Sequence, residues 1–213
     1  MLAIDEQIKL FEEALLSIDR VTARHILEDL VNRDTSFETL AQVMVSALER
    51  IGHGWENGSV ALSQVYMSGR ICEELVGDLI PMNSTTHTTQ PKLAITVLDD
   101  YHLLGKRMVY SVLRTRGFEV QDYGRQTVSE LVKRVLKDKI ELLLISVLML
   151  PSALRVQEVC AALMEAGAST KVVVGGAPFR LDKQLWREVG AFAMGNTAAE
   201  SIGIVDGIIG GGS

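Results

Sequence analysis

Apolar positions repeat with one period in the first third of the chain and with another in the remainder. Ile4, Ile8, Phe11, Leu15 and Leu16 recur at helical spacing. Asp19 can cap a second helix through Val21, Ile26, Leu27, Leu30 and Val31. Ser36 can cap a third, with Leu40, Val43, Met44, Ala47, Leu48 and Ile51 as its apolar stripe. Gly52, Gly54 and the Asn57-Gly58 pair predict a turn, and Ser63 then opens a fourth helix over 64–79. Four helices with short connections predict a four-helix bundle over residues 1–80.

Residues 81–91 break this pattern. The stretch is polar, uncharged apart from His87, and bracketed by Pro81 and Pro91, which predicts an interdomain linker. Beyond it, strand-like runs at 92–98, 118–123, 140–148, 171–175 and 191–194 alternate with helical segments at 105–116, 128–137, 152–166, 181–189 and 198–208. Alternation of this kind predicts right-handed crossovers and a parallel sheet covered on both faces. The fold class is therefore an α/β domain over 92–209 with a five-stranded parallel sheet, and five units suit the flavodoxin-like (Rossmann-like) order 2-1-3-4-5. Residues 210–213 read as a flexible tail.

In that order the ligand crevice lies beyond the carboxyl ends of the first and third strands. The loop after the first carries Asp100-Tyr101-His102-Leu103-Leu104-Gly105. The loop after the third carries Ser146, Leu148, Leu150 and Ser152. Two unusual loops coincide where a ligand is expected.

Composition narrows the partner. Hydrophobic residues make up 47% and charged residues 23% of the 213, ordinary for a globular protein. The formal net charge of -6 and the lack of a basic stripe argue against nucleic acid. The apolar runs fall far short of the roughly 20 residues of a membrane helix, and the acidic start (Asp5, Glu6, Glu12, Glu13) is unlike a signal peptide. Cys72 and Cys160 lie far apart in helix-like patterns and are expected as buried thiols in a reducing, cytoplasmic setting.

His102 is the residue with most chemistry. A histidine following a strand, with a carboxylate two residues before it, is placed as a metal ligand with its own supporting hydrogen bond. A zinc cage needs about four ligands at short spacing. His25, His53 and His87 are scattered, and neither cysteine is near His102 in sequence. One protein nitrogen suffices where a macrocycle brings the other ligands, as in haem and corrinoids. The Cys-x-x-Cys-His haem attachment pattern is missing.

Asp100-x-His102-x-x-Gly105, then Ser146-x-Leu148 with Ser152, then Gly175-Gly176, resembles the cobalamin-binding domain family over about residues 92–208. The helical part, with Trp55-Glu56-Asn57-Gly58 followed by Leu62-Ser63-Gln64, is similar to the cap of methionine synthase and of corrinoid proteins in anaerobic methyltransferase systems. The resemblance implies a cobalamin or related corrinoid bound with His102 on cobalt, Asp100 on the other ring nitrogen and Ser152 extending that relay. It implies that Ser146 touches the nucleotide tail and that Gly175 and Gly176 let the tail pass close to the backbone. Gly105 gives the same close approach at the start of its helix. The chain departs from the family with Asp99 where glycine is frequent and with Leu150 where threonine is, which removes a hydroxyl contact. Tyr101 is bulky enough to cover a macrocycle edge. In the cap, Leu62, Val65, Tyr66, Met67 and Ile71 fall where relatives shield the upper face, and they fit a plain bundle core equally well.

The expected function is a corrinoid protein that carries a methyl group on cobalt. The expected partners are a donor-specific methyltransferase, an acceptor methyltransferase using tetrahydrofolate or a thiol, and a reductive activase. The chain is then a carrier component rather than a complete enzyme. The alternative is a cobalamin-dependent light or redox sensor. Such regulators usually add a DNA-binding domain and place a Glu-His pair after the cap tryptophan, where this chain reads Val65-Tyr66-Met67. A mutase small subunit is a third reading, disfavoured by the fused cap.

Overall fold

Helical periodicity gives four helices among the described residues up to 79: α1 (Ile4–Leu16), α2 (Arg20–Asn32), α3 (Phe37–Glu56) and α4 (Leu62–Leu79). The structure is a computed structural model and describes residues 4–33, 37–79 and 90–210. Ser36 and most of the expected linker lie outside them. Asp19 caps α2 by accepting the Thr22 amide at 3.0 Å. Phe11, Leu15, Leu27, Met44, Ile51 and Ile71 are fully buried and form the core of this part.

Two local expectations change. The turn does not begin at Gly52: α3 runs through Gly52 and Gly54 to Glu56. Gly54 serves close approach instead, because a Cβ there would meet Val60 Cγ2 at 2.5 Å. The chain reverses only at Asn57-Gly58, where Gly58 has φ +80. The first turn of α4 is closed by Gln64, whose Oε1 accepts the Ala61 amide at 3.0 Å, rather than by Ser63.

Contacts divide the described residues into two units, each described by itself. The first joins the four helices with residues 107–118; the second comprises 90–106 and 119–210. Residues 107–118 contain most of α5 (Leu104–Thr115). Within the first unit, Arg107 donates to the Tyr66 hydroxyl at 2.8 Å and lies 4.0 Å from Glu73.

The second unit holds β1 (Leu93–Leu98), β2 (Val120–Gln126), β3 (Leu142–Ser146), β4 (Lys171–Gly175) and β5 (Ala193–Gly195). All pairings are parallel, in the order β2-β1-β3-β4-β5 that the sequence predicts. All six residues of β1 are buried, as a central parallel strand requires. One face of the core packs Leu143, Ile145, Val172 and Val174 against Leu131, Val135, Val156, Val159 and Phe179. The register aligns Val97, Ser146, Gly175 and Gly195 across the carboxyl ends of four strands.

β2 starts later than its apolar run. Phe118 returns its amide to the Leu113 carbonyl at 3.1 Å and closes the helix before it. Gly124 (φ +64) is absorbed as a register shift opposite Ile95–Val97, with the Thr96 hydroxyl donating to its carbonyl at 3.1 Å. After α6 (Val128–Asp138), the segment expected as one helix over 152–166 is α7 (Leu150–Leu154) and α8 (Val156–Glu165). Likewise 181–189 is α9 (Ala177–Leu181) and α10 (Leu185–Glu188), separated where Asp182 turns extended and accepts the Gln184 amide at 2.9 Å. The last helix is α11 (Glu200–Gly210).

Candidate functional site

The site grows from the end of β1. Asp99 adopts φ +46, a left-handed conformation that turns the chain so that the next side chain points inward. Asp100 is 3% exposed. Its Oδ1 accepts the amides of Tyr101 at 2.7 Å and His102 at 3.2 Å, and also the His102 Nδ1. Its Oδ2 accepts the amides of Leu148 at 2.9 Å and Met149 at 3.3 Å. One carboxylate thus ties the loop after β1 to the loop after β3, the two loops that sequence places at the crevice.

Burial pushes the Asp100 carboxyl up. The Leu148 amide, the His102 ring and the amides of His102 and Tyr101 outweigh it and hold the carboxyl at about 2, below its usual 3.8. An ionised carboxylate can only accept, so His102 Nδ1 carries a proton toward it and Nε2 is turned away from Asp100. The His102 side chain is 54% exposed, so that nitrogen is open to an incoming ligand.

Gly105 sits where the first turn of α5 meets the end of β3. A Cβ there would lie 2.8 Å from Ser146 Oγ. Gly176 has φ +117, and a Cβ would lie 1.8 Å from the Val147 carbonyl oxygen; at Gly175 it would lie 3.2 Å from the Gly195 carbonyl. Gly176 is required by the chain's own backbone, Gly175 packs tightly on it, and Gly105 leaves room for the Ser146 hydroxyl. Around them, Leu148, Met149 and Leu150 are exposed although apolar. Tyr101 is exposed too, with the Arg125 guanidinium 4.3 Å from its ring centre.

Ser152 is buried next to this loop, but its hydroxyl donates to the Asp99 carbonyl at 3.2 Å. The relay expected from Ser152 to Asp100 is therefore replaced by the amides of Leu148 and Met149. Arg155 donates to the Asp99 carboxylate. Tyr66, exposed, and Met67, half-buried, lie on α4 in the other unit. Sequence reading missed Met149, Arg125 and Arg155. Met149 stands inside the loop already singled out, whereas nothing local to Arg155 signals a partner 56 residues away.

Among the described residues no three His, Cys, Asp or Glu side chains cluster as a metal site. The donor set is one oriented imidazole flanked by apolar side chains and glycine backbone. It fits a metal that arrives inside a macrocycle, and it does not fit a bare ion.

Comparison with known proteins agrees with that chemistry. Residues 91–210 match a family described as B12 binding domain, and residues 7–79 match a second family with the same description. The dimethylamine corrinoid protein of Methanosarcina barkeri is 25% identical over 93% of this chain and 95% of its own. The solved structure of the Methanosarcina barkeri monomethylamine corrinoid protein has the same fold, with a TM-score of 0.67, 24% identity, and coverage of 97% of this chain and 100% of that one. A chain of the methanol:cobalamin methyltransferase complex from the same organism follows with a TM-score of 0.59 and 23% identity, covering 98% of this chain and 81% of that one.

Proposed function

Because this chain belongs to the B12-binding domain family and takes cobalamin or a related corrinoid as its cofactor, we propose that it is the methyl-carrying component of a multi-protein methyltransferase system. A bound corrinoid would supply a cobalt centre able to take up a methyl group and give it up again. The chain's own residues hold and tune that centre. His102 Nε2 would hold the cobalt. Asp100 holds the ring in one orientation through its Nδ1. Gly105, Gly175 and Gly176 bring chain segments close together at the strand ends beside Ser146, and with Leu148 and Leu150 they would line the cofactor's nucleotide tail and macrocycle. In the helical unit, Tyr66 is exposed and Met67 half-buried on α4, and these two are the residues we would assign to keeping water from a reactive metal.

The observation that carries this reading is the Asp100 carboxylate, which clasps the His102 ring with one oxygen and the loop after β3 with the other. The corrinoid-protein names of the relatives favour a carrier over a light or redox sensor. One partner is a donor-specific methyltransferase for a small methylated compound such as a methylamine or methanol. The other is an acceptor methyltransferase, with a reductive activase restoring the cofactor. No helix among the described residues is long and apolar enough to cross a membrane.

The test is the visible spectrum of the cobalamin-loaded protein, wild type against His102→Ala. A change from histidine-ligated to unligated spectra is expected; identical spectra remove His102 as the ligand. Methyl transfer in the dark with purified methyltransferases then separates the readings. Turnover supports the carrier, and light-dependent association without turnover supports a sensor.

A further inference from the structure

Asp99, next to Asp100 in the ligand loop, is tethered through its amide, its carbonyl and its carboxylate, and nothing in the proposed chemistry uses it. It lies immediately before Asp100 and adopts φ +46, a conformation that an L-residue enters at a steric cost. Three separate bonds hold it there. Its amide donates to the Gln126 carbonyl at the end of β2, at 2.9 Å. Its carbonyl accepts the Ser152 hydroxyl at 3.2 Å. Its carboxylate, on a side chain only 14% exposed, accepts Arg155 Nη1.

Arg155 stands at the junction of α7 and α8. Its amide donates to the Pro151 carbonyl at 3.3 Å, and its own carbonyl accepts the Glu158 amide at 3.1 Å. Glu158 holds the other side of the guanidinium at 3.2 Å. The head group is therefore fixed in direction before it reaches Asp99. The segment after β3 grips the ligand loop at two points: the amides of Leu148 and Met149 on Asp100, and the side chains of Ser152 and Arg155 on Asp99. The amides of Leu148 and Met149 hold the Asp100 side chain, while the bonds on Asp99 hold the backbone from which that side chain starts. A shift of that backbone would carry the carboxylate, and the ring hydrogen-bonded to it, out of line.

We infer that Asp99 and Arg155 form a positioning pair that fixes the direction of the His102 imidazole. The inference rests on His102 being the axial ligand. Neither residue touches the cofactor; both act through the Asp99–Asp100 peptide.

The experiment uses the full chain carrying Asp99→Ala, Arg155→Ala, both together, Arg155→Lys, and His102→Ala as control. Two readouts are taken: the imidazole 15N shifts of His102 without cofactor, and the histidine-ligated fraction from the visible spectrum with cobalamin. Each single alanine variant is expected to move the shifts from a single Nδ1–H tautomer toward averaged values, and to weaken ligation about five- to tenfold. The double variant should be no worse than either single, and Arg155→Lys should recover part of the loss. Arg155 is 43% exposed at its side chain, so Arg155→Ala keeps the test alive should Asp99→Ala not fold. Wild-type shifts and ligation in the single variants, whatever their stability, overturn the inference while leaving His102 as ligand. Additive losses in the double overturn it as well. An unchanged spectrum in His102→Ala removes the ligand reading, and the positioning pair with it.

Discussion

Replacing Asp100 with asparagine should cost about 2–3 kcal/mol of folding stability at neutral pH. Two routes lead to that figure from the same bonds, so they are alternatives and not a sum. The carboxyl is held at about 2 against a usual 3.8, and at 1.36 kcal/mol per pH unit that difference is worth about 2 kcal/mol. Alternatively, asparagine keeps one acceptor oxygen for the Tyr101, His102 side but turns its NH2 toward the Leu148 and Met149 amides. A donor against donors in a site 3% exposed leaves buried N–H groups unsatisfied, at about 1–3 kcal/mol. The pH dependence gives the prediction its sign. The folded pKa lies below the unfolded one, so the stabilisation is complete above the unfolded value and is lost as pH falls through the folded value. The gap between wild type and variant should be full at pH 7, about half as large at pH 3, and nearly gone below pH 2. Urea unfolding of the cofactor-free protein, followed at Trp186 in the same unit, measures it. A gap under about 0.5 kcal/mol at pH 7, or one that does not shrink between pH 5 and pH 3, refutes the role assigned to those hydrogen bonds.

Gly176→Ala should cost more than about 3 kcal/mol, because the left-handed backbone and the 1.8 Å approach to the Val147 carbonyl compound each other; Gly77→Ala, in an open helical position, should be neutral or stabilising by up to about 1 kcal/mol, and thermal melting compares the two. Lys106→Met should cost about 1–2 kcal/mol by urea midpoint. It removes the partner of Asp122 from a side chain only 4% exposed, but Asp122 is 32% exposed and still accepts the Gly124 amide. Burial pushes the Cys160 thiol up to about 11 and the Cys72 thiol higher still, so at pH 8 on the order of 0.1% of Cys160 is thiolate; both should react slowly with a disulfide reagent in the folded protein and quickly in urea.

The sheet order was legible because parallel strands buried on both faces read as apolar runs, and the runs at 92–98, 140–148 and 171–175 each contain a strand. Boundaries failed where tertiary partners decide them. Phe118 is as apolar as a strand residue, yet its amide is spent on Leu113. Gly52 and Gly54 carry a turn signal, but the packing of Val60 against Gly54 lets α3 continue through them. In the site, Asp100, His102 and Gly105 stand at fixed local spacing and were readable. The direction of the Ser152 hydroxyl was not, because it depends on which carbonyl the Asp99 turn presents.

That turn explains why the two loops must be specified together. The local amides of Tyr101 and His102 hold one oxygen of the Asp100 carboxylate. The other oxygen is anchored by amides 48 and 49 residues further on, which are left to donate because the chain leaves β3 and the ladder to β4 ends with the Val147 amide on the Gly175 carbonyl. The exit is possible because Gly105 makes room for Ser146 and Gly176 makes room for Val147. At Gly105 the Ser146 hydroxyl can turn aside, but enlarging Gly176 would displace the Val147 backbone and the amides after it before it touched any cofactor, and the His102 ring would lose its orientation in the empty protein as well as in the loaded one.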